Sequence, residues 1–197
     1  MKTHRRTVAV VWMIIVVLLL AVCLKWLCAD DDANGARKER SPNKEMIKMA
    51  EKIVRVKVTP PFQYSFDLMR QGVLQHNDRR YTYDVVPPEL VGGFLFQGIH
   101  RTPKGTAVEF ELRSPAKVYF FYHSTADGGY SKILAKLPNW KRSSVFPQYD
   151  IHNGQHGLKM EMYQLEADAG THSIPASTKD RACFNIVFQP NPDFSIK

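Results

Sequence analysis

The spacing of the hydrophobic residues changes twice along the chain, and each spacing predicts a different element. Residues 8–24 form an uninterrupted apolar run. Residues 42–53 carry apolar side chains three and four positions apart, and from Val54 onward apolar and polar side chains alternate. The uninterrupted run is typical of a membrane segment, the spacing of three and four is typical of an amphipathic helix, and the alternation is typical of β-strands. The sequence therefore predicts an all-β domain behind two helical segments.

The apolar run is long enough to cross a bilayer. Its seventeen uncharged residues extend about 25 Å as a helix, and continuation through Leu27 gives about 30 Å if the Lys25 side chain reaches back to the interface. Three basic residues precede the run and three aspartates follow it, which favours a cytosolic amino terminus. We predict a cytosolic tail at 1–7 and a transmembrane signal anchor at 8–28.

This topology makes the chain a single-pass type II protein of the plasma membrane or Golgi, with its domain outside the cytosol. The alternative is a cleaved signal peptide and a secreted protein. The run is longer than the apolar part of most signal peptides, and Leu27 occupies a position where cleavage needs a small residue. Both alternatives export the domain.

Residues 29–57 are expected to form a stem that contains a short helix. Ser41 and Pro42 are typical of a helix start. Four apolar residues then follow at helical spacing, namely Met46, Met49, Ala50 and Ile53. We expect this helix, over 42–53, to dock on the domain; a partner helix is the alternative.

Residues 58–197 are predicted to form an antiparallel β-sandwich, because short alternating segments are separated by turns rich in glycine, proline, asparagine and aspartate. The apolar segment 118–122 is expected to be a central strand covered on both faces. The predicted strands are 54–58, 62–68, 81–86, 94–100, 107–112, 118–122, 158–165 and 182–188.

The charge distribution and the cysteine content indicate which kinds of molecule the chain can bind and whether disulfides can form. The formal net charge is +8, but residues 1–29 hold four basic residues and no acidic one. The remaining basic residues are scattered, so no nucleic-acid partner is predicted. Cys183 is the only cysteine of the domain, which leaves no disulfide within it and favours a buried small side chain. Cys28 is positioned to link two copies into a homodimer.

Aromatic and charged residues around Trp140 form the candidate ligand site. Trp140 is the only tryptophan outside the apolar amino-terminal segment, and an exposed indole beside cations is a platform on which a sugar ring stacks. The alternative is that the ring closes one end of the sandwich. The ligand-binding residues predicted are Trp140, Tyr130, Asp127, Lys141, Arg142 and Tyr149.

No metal site, cofactor or catalytic residue is predicted. His152 and His156 lie four apart in a glycine-containing segment that favours a turn, with no third ligand close in sequence. His100 and His123 could still converge with Asp127 in space. Glu109 and Glu111 share one face of a strand, which indicates a solvated surface rather than a glycosidase pair. Known catalytic motifs are lacking.

Five segments between residues 86 and 188 follow one another in an order that resembles non-catalytic β-sandwich modules of the galactose-binding-like and carbohydrate-binding-like kind. They are Val118-Tyr119-Phe120-Phe121, Leu137-Pro138-Asn139-Trp140, Met160-Glu161-Met162-Tyr163, residues 169–175 and Cys183-Phe184-Asn185-Ile186-Val187. The resemblance implies a jelly-roll-like sandwich whose loops or one face bind sugar or another ligand.

These observations predict a membrane-anchored, non-enzymatic binding module for a glycan or protein ligand. One alternative is a structural protein that assembles with its own kind through Cys28 and the 42–53 helix. A second alternative is a hydrolase that uses loop histidines and carboxylates.

Overall fold

The computed structural model describes residues 43–191. Within them no helix is long and apolar enough to cross a membrane, and the predicted tail, anchor and first part of the stem lie outside the described residues. A 3-10 turn occupies Pro88–Leu90. The other elements are α1 (Lys44–Glu51), β1 (Val54–Thr59), β2 (Ser65–Leu68), β3 (Thr82–Val85), β4 (Phe94–Gln97), β5 (Ala107–Leu112), β6 (Ala116–His123), α2 (Tyr130–Leu134), β7 (Lys141–Arg142), β8 (Gln148–Asp150), β9 (Leu158–Ala167), β10 (Gly170–Ile174) and β11 (Phe184–Pro190).

Helix α1 docks on the β-domain, as the helical spacing of its apolar residues predicted. Ala50 and Ile53 are fully buried in the domain core, whereas Met49 is exposed. The helix starts later than expected because Asn43 is its N-cap: the Asn43 side chain accepts a hydrogen bond from the Met46 amide at 3.3 Å.

All paired strands are antiparallel and form two sheets, which confirms the all-β antiparallel prediction. The small sheet has the order β1-β5-β10, so the predicted domain start at 58 falls inside its edge strand β1. The large sheet has the order β2-β4-β11-β6-β9-β8-β3, and β7 adds to β9. In β5 the side chains of Val108 and Phe110 are buried while Glu109 and Glu111 are exposed, as their alternation predicted.

The main core lies between the two sheets. Phe110 of the small sheet packs edge-on against Phe188 of the large sheet, with ring centroids 5.3 Å apart. A second core lies on the opposite face of the large sheet. There, Met69 and Leu90 from the connection between β2 and β4, together with Tyr83 of the edge strand β3, pack in this second core, so that β6 at the centre of the sheet is buried on both faces.

Strand β6 is central and covered twice, which confirms the prediction for this segment. It lies between β11 and β9. Phe120 and Tyr122 belong to the core between the sheets, whereas Tyr119 and Phe121 belong to the second core. This strand therefore ties together both hydrophobic cores of the domain.

Candidate functional site

Trp140 and Tyr130 close the core instead of facing solvent. Trp140 is only 8% exposed, and its ring meets that of Phe120 edge-on with centroids 6.4 Å apart. Tyr130, at the start of α2, is fully buried, and its hydroxyl donates to the Thr106 carbonyl at 3.0 Å. These two rings are therefore buried, whereas sugar stacking requires an exposed ring face, and the alternative, that Trp140 closes one end of the β-domain, fits the packing.

Asp127 and Arg142 line one hollow of about 400 Å³ with Glu161 and two tyrosines. Burial acts to raise the pKa of Asp127, but hydrogen bonds from the Ser131 hydroxyl and the Gly129 amide outweigh it and lower the pKa. Arg142 is held by an ion pair with Glu161. Asp127 also faces Lys179, at 3.6 Å, so the charged groups of both Asp127 and Arg142 already have partners within the protein.

The other two predicted ligand-binding residues lie elsewhere. Lys141 lines a separate hollow beside Asn139, and Tyr149 lies in β8 beside a cluster of histidines. The six residues predicted as one site are consequently divided among the core and three surface hollows.

A histidine cluster is the most unusual polar feature of the described domain. We define it as His76, His100, His123 and Cys183. The centroid of the His76 ring lies 5.2 Å from that of His100 and 5.9 Å from that of His123. One ligand atom each of His100, His123 and Cys183 lie within 4.8 Å of one another, and all four residues are at most 5% exposed.

The four residues come from distant parts of the chain, and hydrogen bonds donated by backbone amides hold their segments in place. His123 ends β6 and its amide donates to the Cys183 carbonyl at 3.0 Å. The His100 amide donates to the Asp78 carboxylate at 2.8 Å. His76 lies in a hairpin-like segment in which the Gln75 amide donates to the Tyr81 carbonyl at 2.9 Å.

The imidazoles of the cluster are neutral at ordinary pH. Burial lowers the pKa of His123 to about 3. Burial, assisted by the nearby His123 and by arginines, lowers that of His100 to about 3, and the pKa of His76 also lies well below 6.5. Burial raises the pKa of the Cys183 thiol to about 12.

Three buried nitrogens of the cluster lack a hydrogen-bond partner among the described residues: both nitrogens of His76 and Nδ1 of His100. His123 differs, because its Nε2 lies 3.1 Å from Oε1 of Gln75. Buried polar atoms are normally paired, so the cluster carries unused capacity to bind.

A cleft of about 520 Å³ opens above the cluster, and we call it the histidine cleft. Tyr149 stacks on His123 with ring centroids 4.2 Å apart. Arg101 and Lys159 lie at the rim and are exposed. No acidic side chain belongs to the described lining, so the cleft is cationic and partly aromatic. Its lining includes Tyr81, His100, Arg101, His123, Tyr149 and Lys159.

His152 and His156 lie in a non-helical loop with bends, in agreement with the expectation that their glycine-containing segment is not a helix. His152 has a positive φ of 59°. Both imidazoles face Asp150, with the Nδ1 atoms of His152 and His156 at 3.2 Å and 2.9 Å from its Oδ2. Asp84 lies close enough to Asp150 and His156 to complete a set of three potential ligands, which the linear spacing did not reveal.

The expected convergence of His100 and His123 is observed, whereas Asp127 lines the separate hollow beside Arg142. Sequence reasoning missed His76. Its distance from His100 in the chain matches no metal-binding motif, so only the fold reveals it.

The fold is similar to a small part of a much larger solved structure. No family model and no curated protein matches the chain. Among solved structures, a β-glucuronidase from glycoside hydrolase family 2 aligns with a TM-score of 0.53 and 14% identity, over 68% of this chain and 14% of that one. A GH138 enzyme targeting pectin rhamnogalacturonan II aligns with a TM-score of 0.47 and 16% identity, over 78% of this chain and 19% of that one.

This chain therefore spans less than a fifth of the length of either enzyme. The likeness to the β-glucuronidase concerns the fold alone, and it places this chain among antiparallel β-domains.

Proposed function

We propose that the chain is a non-enzymatic, jelly-roll-like binding module for carbohydrate, and that the ligand occupies the histidine cleft. The observation that carries this proposal is the composition of that cleft. It combines tyrosine rings with hydrogen-bonding and cationic side chains around a concavity of about 520 Å³. Sugar sites use the same combination of stacking surface and directed polar groups.

The rim charges favour an acidic sugar. Arg101 and Lys159 are exposed at the cleft, and a guanidinium forms strong paired hydrogen bonds with a carboxylate. Tyr81 is half-buried in the lining and can present a ring edge or face to the sugar. The ligand class is thus a glycan that bears carboxylate or sulfate groups.

The groups in the cleft support binding rather than hydrolysis. Glycoside hydrolysis generally uses two carboxyl groups, and the described lining has none. A proton-transferring group works best with a pKa near the working pH, whereas the pKa values of His100 and His123 lie at about 3.

The placement of the module outside the cytosol rests on the amino-terminal sequence. The basic residues before the apolar run 8–24 and the aspartates after it support a type II anchor. Protease added outside intact cells should then cleave residues 30–197, and protection of that region would contradict the orientation. Cys28 would then lie at the non-cytosolic surface of the bilayer. There it can form a disulfide between two copies, and a reducing agent would separate this dimer.

The ligand proposal is tested by titrating the detergent-purified full chain with uronic acid-containing, sulfated and neutral oligosaccharides in a calorimeter. We expect acidic glycans to bind with a Kd of roughly 10⁻³ to 10⁻⁵ M, because a shallow site must offset the lost freedom of the ligand. Arg101→Gln should weaken binding about tenfold through loss of a charge-assisted hydrogen bond.

Arg55→Gln is the matched control, because Arg55 is an exposed arginine of the small sheet, outside the cleft. It should leave the affinity unchanged. Equal affinity for neutral and acidic glycans would contradict the proposal that the cations at the rim select an acidic sugar. Absence of glycan binding, or an equal loss in the two variants, would refute the site.

A further inference from the structure

The floor of the histidine cleft holds a set of nitrogen and sulfur donors. One ligand atom each of His100, His123 and Cys183 lie within 4.8 Å of one another, and His76 is adjacent to both imidazoles. We propose that these four side chains bind a zinc ion, with His76 as the fourth ligand. This goes beyond the proposed carbohydrate binding and does not rest on it.

The unpartnered nitrogens are the first argument for a bound ion. His76 is fully buried, yet neither of its nitrogens meets a partner among the described residues, and Nδ1 of His100 is in the same state. A buried polar atom without a partner costs about 1–3 kcal/mol. An ion between the rings would use one nitrogen lone pair of each ring, because a neutral imidazole has one such lone pair and one N–H group.

The surroundings of His123 are the second argument. Gln75 Oε1 lies 3.1 Å from Nε2 of His123, so the carboxamide oxygen can accept a hydrogen bond from Nε2–H and leave the lone pair of Nδ1 for a metal ion. Metal-binding histidines usually have such a partner on the other ring nitrogen, because it fixes the tautomer and the orientation of the ring. Stacking on Tyr149 further holds the His123 ring.

The donor types select the metal. Zinc binds imidazole nitrogen at about 2.0 Å and thiolate sulfur at about 2.3 Å in a tetrahedron, whereas calcium and magnesium require oxygen. In a tetrahedron of those bond lengths the ligand atoms lie about 3.5 Å apart. The ligand atoms of His100, His123 and Cys183, which lie up to 4.8 Å apart, must therefore approach one another by about 1 Å. His76 lies outside this set of three, with ring centroids 5.2 Å and 5.9 Å from those of His100 and His123, so its side chain must rotate toward them.

Charge balance requires the thiol to ionise. Arg79 and Arg101 act on the cluster through their positive charge and oppose a cation. On binding, the Cys183 S–H bond breaks, the sulfur forms a bond to zinc and the proton passes to solvent. Zinc adds two positive charges to the cluster, and the negative thiolate reduces this net addition to one. Because a proton is released on binding, the affinity for zinc depends on pH.

The decisive experiment uses the detergent-purified full chain with Cys23→Ser and Cys28→Ser, which leaves Cys183 as the sole thiol. After exposure to zinc and gel filtration, mass spectrometry of the metal content should give one zinc per chain. Cobalt(II) put in place of zinc should produce a near-ultraviolet thiolate-to-cobalt charge-transfer band, and added zinc should abolish it. These measurements need no ligand variant and no glycan.

Variants then assign the ligands. Cys183→Ser should remove the charge-transfer band, and His123→Gln and His76→Gln should each weaken zinc binding at least about tenfold. His172→Gln is the control, because His172 lies on β10 and bonds the Asp168 carbonyl at 2.8 Å, outside the cluster; it should bind zinc like the parent. Circular dichroism in the presence of chelator checks that each variant is folded.

The proposal fails if the parent chain retains no zinc above background. It also fails if cobalt produces no charge-transfer band, or if folded Cys183→Ser and His123→Gln bind zinc like the parent. Glycan binding is measured separately on the zinc-free chain, so a failure of the zinc proposal can be distinguished from a failure of the glycan proposal.

Discussion

Asn185 joins the sheet to the segment that carries His76, and its replacement offers the sharpest test of how the candidate site is held. The side chain is fully buried. Its Oδ1 accepts a hydrogen bond from the Tyr83 hydroxyl at 2.9 Å. Its Nδ2 donates to the Gln75 carbonyl at 2.6 Å and to the Phe96 carbonyl at 3.3 Å. One side chain of β11 thus bonds two residues of the segment 69–90.

Asn185→Leu keeps a similar volume but removes every one of these bonds. The Tyr83 hydroxyl and the Gln75 carbonyl then stay buried without this partner, at about 1–3 kcal/mol each. We expect the free energy of unfolding to fall by about 2–5 kcal/mol. Tyr83→Phe alone should cost about 1–2 kcal/mol. In the double variant no hydroxyl is left unpaired, so the losses should overlap by about 1–2 kcal/mol.

The measurement is denaturant unfolding of the full chain and its variants in detergent, followed by far-ultraviolet circular dichroism. Asn139→Leu serves as the control because Asn139 is exposed; it should change stability by less than about 0.5 kcal/mol. A coupling energy near zero between Asn185 and Tyr83, or equal effects of the two asparagine variants, would refute the assigned network.

Other predictions follow from burial, ionisation and helix capping. Phe120→Ala should lower the free energy of unfolding by about 3–5 kcal/mol, because Phe120 is fully buried. The control Val85→Ala, at an exposed position, should change it by under about 0.5 kcal/mol. Equal denaturation midpoints of the two variants would refute this prediction. Burial chiefly raises the pKa of Tyr83 well above 10. The contribution of Tyr83 to the free energy of unfolding is therefore complete below pH 10 and is lost as the pH rises further, because the tyrosine ionises first in the unfolded chain. Tyr83→Phe should flatten this decline of the melting temperature with pH, and an unchanged slope would contradict the prediction. Asn43→Ala should cost about 1 kcal/mol through loss of the N-cap, and chemical denaturation in which this variant matches the parent would disprove the cap.

The long strands could be predicted because their burial alternates within a few residues. In β5, Val108 and Phe110 face the core while Glu109 and Glu111 face solvent, so local sequence carries the pattern. In β6 both faces are apolar, and that alone indicated a central strand. The information needed for these elements lies within each element.

Other elements lack such a local signal. Strand β10 has only one fully buried side chain, Ile174, and pairs with β5 along an edge of the small sheet. Strand β7 has two residues, Lys141 and Arg142, both exposed. Backbone pairing to a neighbouring strand creates these elements, so hydrophobic spacing could not predict them.

The sequence did not indicate the burial of Trp140 and Tyr130 for a similar reason. An aromatic residue in a loop can face solvent or close a core, and the choice depends on the space left by other elements. Phe120 from β6 and Phe184 from β11 leave such a space, into which Tyr130 fits at 4.8 Å and 5.5 Å between ring centroids. A large buried area stabilises this placement more than exposure would.

The histidine cluster is hard to explain as a purely structural element. Its three unpartnered nitrogens cost about 1–3 kcal/mol each, which is a large part of the 5–15 kcal/mol that typically stabilises a domain. Leucine or phenylalanine at His76 would fill the same interior without that loss. A sequence selected for stability alone would have replaced these residues, and this imbalance is common where a site must bind. A ligand that uses one nitrogen lone pair of each ring lowers this cost, and the adjacent thiol makes a metal ion the simplest such ligand.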